Sequence, residues 1–196
     1  MNEAPTHLQP NAEWHQHPNG GGWVSSTARV AETAYVGPGA VVSDSAQVYS
    51  NARVSGDAWV YGDAQVYGDT QVHGNAQVSG FAQIYGCAQV CGAAEACGNA
   101  HVAGDAEVSG DVKVSGVARV SGVAEVDGGE WERSPLQMQV GEFFLTHCAP
   151  GIVRIGCQRH PIDVWLSRGL EIAVENEVEL SEQDITTLRA VLESIK

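Results

Sequence analysis

The sequence predicts a mainly β protein: a parallel β-helix of about six coils over residues 22–129, followed by a small α+β module. Three observations predict it. A six-residue unit recurs without insertion from Gly22 to Gly129. Within each unit, apolar residues at the first and third positions alternate with polar ones. Glycine then falls at the fifth position of most units. An internal repeat of this kind outranks every other sequence signal, because each unit can bury its apolar side only against its neighbours.

The frame is clearest from Ala52, where the chain reads ARVSGD AWVYGD AQVYGD TQVHGN AQVSGF AQIYGC AQVCGA AEACGN AHVAGD AEVSGD VKVSGV ARVSGV AEVDGG. GWVSST, ARVAET, AYVGPG, AVVSDS and AQVYSN precede it in the same frame. Alternation places the first and third residues on one side of a short strand, facing inward. Glycine at position five adopts backbone angles that other residues avoid, and so turns a corner. The Asp or Asn that often follows also tolerates turns. One hexad is then one side of a prism, and three hexads close a coil. Eighteen hexads give six coils stacked at ~4.8 Å, a rod about 30 Å long. Three Val and three Ala per coil fill a narrow interior with no room for a ligand. Ala96 stands where Val is expected and Val112 where Ala is expected, so Val112 is expected to lean into the space that Ala96 leaves.

The ends differ in pattern. Residues 1–21, with Pro5, Pro10, Pro18 and Gly20, read as an irregular arm able to cover the first coil. Residues 130–196 lose the glycine period and read as the α+β module, which caps the rod or binds a target. Leu136–Val140 alternates as a strand. Phe143–His147 and Ile152–Gly156 read as two strands joined at Ala149-Pro150-Gly151. Pro161 opens a helix with Ile162, Trp165 and Leu166 on one side. Ser181 caps a last helix with a stripe of Ile185, Leu188, Leu192 and Ile195.

Net charge is −14, with 24 acidic against 10 basic residues. Such a chain is repelled by nucleic acid and by anionic membranes, so neither is expected as a direct partner. No apolar run reaches the ~20 residues of a membrane span, and Met1–Thr6 lacks the features of a secretory signal. Five cysteines without a disulfide spacing fit a reducing cytoplasm.

Residues three hexads apart stack, so the outer surface reads as columns. One face carries Tyr49, Tyr67 and Tyr85 beside Gln47, Gln65, Gln83, His101 and Arg119. A second carries Trp23, Val41 and Trp59, with Tyr61 and Phe81 near its corner. The third carries Tyr35, Arg53, Gln71, Gln89, Glu107 and Glu125. Like residues in register stabilise neighbouring strands. An aromatic stripe is also what protein interfaces use. Trp23, Tyr49, Trp59, Tyr61, Tyr67, Phe81 and Tyr85 are therefore the candidate binding residues.

An aliphatic residue with a small residue two before it, repeated every six, resembles the hexapeptide-repeat left-handed β-helix proteins. The left hand is what that resemblance implies. The opening Gly21-Gly22-Trp23-Val24, the VxGDA run and the tail around Gly156-Cys157 resemble more closely the uncharacterised phage and prophage hexapeptide-repeat proteins. Those are often labelled acyltransferases on the repeat alone. The resemblance implies a homo-oligomer, in the family a trimer. For the enzymes it implies an exposed His as general base and a CoA thioester bound between subunits.

The catalytic candidates under that resemblance are His73 and His101, since imidazole titrates near neutrality. His73 lies one coil before Cys91. The chain lacks both the loop that covers substrate in those enzymes and the Pro-rich, Asn-containing segment that accompanies their His. Zinc of the γ-carbonic-anhydrase kind is not expected, because the coil histidines are not whole coils apart. Cys87, Cys91 and Cys97 fall at separate corners, too far apart for a shared metal or a disulfide. Cys157, ahead of Pro161, reads as an ordinary free thiol, with acidification by a helix N-terminus as the alternative. His15 and His17 read as loop residues.

Together these readings predict a non-catalytic cytoplasmic binding protein without a cofactor, acting on a protein partner. A phage-encoded inhibitor of a host factor or defence complex, in the host cytoplasm, is its natural form, and acidic mimicry of nucleic acid is a variant of it. The alternative is an acetyl-CoA-dependent acyltransferase, and a purely structural subunit is a third reading.

Overall fold

The computed structural model describes residues 13–175 and 180–195. The chain divides into two compact units, Met1–Ser134 and Pro135–Lys196.

In the first unit the repeat forms a parallel β-solenoid of about six coils. Each hexad contributes a two-residue strand at its second and third positions, such as Gln65–Val66 or Gln83–Ile84. Successive rungs are three hexads apart, with Gln47 opposite Gln65, Gln65 opposite Gln83, and Gln83 opposite His101. Three parallel sheets result. The first runs through Trp23–Ser25, Trp59–Val60 and Lys113–Val114. The second runs from Arg29–Val30 to Arg119–Val120, and the third from Tyr35–Val36 to Glu125–Val126. The first and third positions of every hexad from Ala34 to Val126 are wholly buried. Each enclosed Val contributes about 1.5–3 kcal/mol of apolar burial, so the stack is held by many equal increments. Val112 follows Ala94 and Val114 follows Ala96 by one rung, and all four are inaccessible to solvent.

The corner glycines answer two demands at once. Gly92 has φ +72°, and a Cβ there would lie 2.9 Å from the amide nitrogen and the carbonyl oxygen of Gly110 in the next coil. Conformation and stacking both exclude a side chain. Asp44 breaks the rule at φ 57°, and its carboxylate accepts a hydrogen bond from the Gly62 amide one coil on, at 3.0 Å.

Both ends of the solenoid depart from the sequence reading. Part of the arm expected to be irregular is ordered: Trp14–Gln16 forms an antiparallel strand against Trp23–Ser25, covering the edge of the first sheet. Pro5 and Pro10 of that arm lie outside the described residues. The return loop covers the edge of the third sheet. There the Val36 amide donates to the Asn19 carbonyl, and the Gly22 amide donates to the Val36 carbonyl. Covered edges are what a β-solenoid needs to avoid edge-to-edge association. At the other end, pairing continues beyond Gly129, with Glu130–Trp131 on Lys113–Val114. This step is one residue short of the repeat, so Trp131 falls in the valine column, and its indole donates to the Gly128 carbonyl at 2.9 Å.

The second unit is an antiparallel meander of Gln137–Val140, Phe143–Ala149, Ile152–Ile155 and Gln158–Pro161, followed by α1 (Ile162–Glu175) and α2 (Glu182–Ser194). Its core gathers Leu145, Val153, Ile155, Ile162, Trp165, Ile172 and Leu192. The Trp165 indole donates to the Val153 carbonyl at 2.8 Å. That bond satisfies the ring's polar group inside the core. Ser181 and Asp184 form a capping box at the start of α2. No helix among the described residues is long and apolar enough to cross a membrane.

Candidate functional site

The strand register turns the repeat into outward columns. On the second sheet Tyr49, Tyr67 and Tyr85 form a continuous stack. Ring centroids are 5.0 and 5.3 Å apart, and the planes lie within 3° and 7° of parallel. The spacing is that of the strands themselves, so the backbone holds the rings at stacking distance. Ala103 takes the next place in the column, and His101 sets its ring edge-on to Tyr85, with centroids 6.4 Å apart. Ala103 is buried although its position faces outward. Burial raises the Tyr67 phenol above its usual value, and the charges Tyr49 and Tyr85 would carry raise it further.

On the first sheet Trp59 and Tyr61 pack at 5.0 Å with tilted rings. The Trp59 indole donates to Ser43 Oγ at 3.2 Å, and the Tyr61 hydroxyl donates to Gln77 Oε1 at 3.4 Å. Phe81, at the corner between the first and second sheets, is 61% exposed. Trp23 is placed differently from the sequence expectation. It is only 8% exposed, clustered with Val41, Trp14 and Trp59, so it supports the aromatic patch from beneath and offers no contact surface. The strand that packs beside it came from the arm read as irregular.

The second sheet differs from the others in charge. From Arg29 to Ser121 its outward positions carry Gln, Tyr, Ala, Ser, His and Arg, and neither Asp nor Glu. The third sheet carries Glu107, Glu125 and Asp127. The first carries Glu95, bridged to Lys113 at 3.7 Å, and Glu130. On the third sheet Arg53 also covers the Tyr35 ring at 4.6 Å.

The two candidate histidines stand on different sheets, His73 on the third and His101 on the second. Cys91 follows His73 by one rung, yet its thiol is pushed up by burial and then by Glu107, which disfavours the nucleophilic thiolate. Cys97 is raised by burial and by Glu95, with Lys113 opposing. Cys157 lies in the hairpin turn after Gly156, while α1 begins at Ile162. It is therefore a free, exposed thiol away from any helix N-terminus, and only the acidified alternative fails. His15 sits in the Trp14–Gln16 strand, not in a loop, whereas His17 lies in the loop that follows, buried with Nδ1 3.2 Å from the Asn19 carbonyl oxygen. Among the described residues no group of three His, Cys, Asp or Glu is arranged to hold a metal ion.

The second unit also holds an open cavity of about 430 Å³, which the sequence reading did not expect. It is lined by Phe143, Ile155, Trp165, Leu166, Leu188 and Leu192, with Cys157 and Arg189 also on its wall. The amphipathic pattern of the last helix pointed to packing, and nothing in it distinguished a filled core from a partly open one. No protein-family model, curated protein or solved structure matches the chain, so the surface is read from its own chemistry.

Proposed function

We propose that the chain is a non-catalytic binding protein whose rigid β-solenoid presents an aromatic surface with acidic surroundings to a protein partner. The observation that carries this reading is the aromatic array on two adjacent sheets: Trp59 with Tyr61, Phe81 at the corner, and the Tyr49–Tyr67–Tyr85 stack. Tyrosine and tryptophan held on a rigid scaffold supply contact area at low entropic cost, which is the composition of interface centres. A phage-encoded inhibitor of a host factor or defence complex, working in the host cytoplasm, is the form that suits an acidic, aromatic rod. Acidic mimicry of nucleic acid is its limiting case.

The discriminating experiment is native mass spectrometry of the purified protein with and without acetyl-CoA, paired with affinity capture. A stoichiometric foreign protein, lost from the Phe81→Asp/Trp59→Ala variant, and no retained acetyl-CoA is the expected result. A trimer that retains acetyl-CoA would instead favour the acyltransferase reading, with His73→Ala and His101→Ala as the next variants.

A further inference from the structure

We infer that the docking surface is the second sheet, and that it takes a protein partner whose contact region has an uncharged centre and a basic rim. This rests on the binding-protein reading above and adds which face is used and what it recognises. Three observations converge on that face.

Its centre is free of charge over three rungs, with Gln47, Gln65 and Gln83 beside the tyrosine stack. In a chain of net charge −14, a strip without carboxylates is where a partner can seat an apolar or amide surface without desolvating an ion. The rings are already stacked, so little side-chain freedom remains to be lost on binding. Tyrosines in such a setting act as interface hot spots.

The long sides of the strip are acidic. Asp44 and Asp63 line the corner shared with the first sheet, and Glu32, Asp69 and Asp105 the corner shared with the third. Lys or Arg around a neutral centre complements that pattern, whereas carboxylates or phosphates would be repelled. A second copy of this chain is disfavoured on the same ground, because face to face it would bring its own aspartates against these. On the sheet itself Arg29 stands on the first rung, with the exposed Glu32 of the same hexad at its corner, and Arg119 stands on the last rung. At the spacing of paired strands, the length between them is about 24 Å. The footprint is therefore a narrow strip along the axis with carboxylates along its two sides, matched by a partner that carries Lys or Arg along both edges of its contact region.

The test places the photo-crosslinking residue p-benzoylphenylalanine at position 67, and separately at position 89 on the third sheet, in the full chain. Each is irradiated in lysate of the source cells, and the adduct is identified by mass spectrometry. The expected result is one foreign protein joined at position 67 and not at 89, through a segment flanked by Lys or Arg. With that protein purified, Tyr67→Arg should weaken binding about 30-fold or more. Gln65→Lys, which leaves the stack intact, should also weaken it, while Gln89→Lys should not. Asp63→Asn with Asp69→Asn should slow association about tenfold at low salt and flatten its salt dependence. Adducts at 89 alone, an acidic contact segment, or an adduct with a second copy would each overturn this inference while leaving a binding role standing. No adduct at either position and no captured protein would remove the binding reading itself.

Discussion

Tyr67 lies parallel to Tyr49, with ring centroids 5.0 Å apart and 3° between the planes, and Tyr85 repeats the relation on its other side. Burial first, and then the two neighbouring phenols, hold Tyr67 protonated above its usual range. A folded-state pKa above the unfolded one means that the fold favours the neutral phenol. That contribution is complete below the unfolded value and is lost as pH rises through the folded one. Thermal unfolding between about pH 9 and about pH 11 should show the parent losing stability more steeply than Tyr67→Phe. Equal slopes would mean that the stack does not govern this titration.

Thr70 occupies a first-position site that is alanine in most hexads. It is fully buried, and its hydroxyl oxygen has no hydrogen-bond partner among the described residues. A buried hydroxyl without a partner costs about 1–3 kcal/mol by mutational measure. Thr70→Val keeps the shape and removes the cost, so chemical denaturation should report a gain of about 1 kcal/mol. A loss of stability would show that the hydroxyl is satisfied in solution.

Gly92→Ala should be severe for its size. The left-handed backbone costs a non-glycine residue about 1–2 kcal/mol. The added Cβ would also meet the Gly110 backbone at 2.9 Å, a contact that cannot yield without parting two coils. A loss of at least about 2 kcal/mol is expected by denaturation, against less than about 0.5 kcal/mol for Gln89→Ala on the nearby surface.

His147 gives the second unit an acid sensitivity. Burial lowers its pKa, and a hydrogen bond with the Ala149 backbone offsets part of the effect. The fold therefore favours the neutral ring. This contribution is present above the unfolded value of about 6.5 and is lost as pH falls through the lowered folded value. Unfolding followed by the helical circular dichroism of α1 and α2 should show stability falling below about pH 6.5 in the parent, and much less so in His147→Gln. A parallel fall in both proteins would assign the sensitivity to other groups.

The solenoid was legible because its signal is repeated many times over. A core in which Ala and Val alternate with polar residues in a fixed frame admits one inward face, and each glycine marks a corner. The columns followed by counting, and so did the tyrosine stack. What failed were the places where the repeat supplies no copies. Trp23 occupies an outward position in the frame, but a strand recruited from an arm without any period lies against it. Trp131 entered the valine column because the last step is one residue short, a slip no frame can announce. For Cys157 only the alternative of a helix N-terminus failed, because the turn after Gly156 belongs to a hairpin that ends before α1. The missing carboxylates of the second sheet were visible in the sequence all along, but only after the three-hexad register had sorted the residues by face.

That register also makes length a quantised property. Adding three hexads between Gly86 and Cys87 would insert one more coil and leave every column aligned, with the tyrosine stack able to gain a rung. Adding a single hexad would advance all later ones by one side of the prism. His101 and Arg119 would leave the tyrosine face, Glu107 and Glu125 would move onto a different sheet, and the terminal Trp131 would meet a different edge. Evolution or design can therefore lengthen this rod only in whole turns if its surface is to keep its meaning.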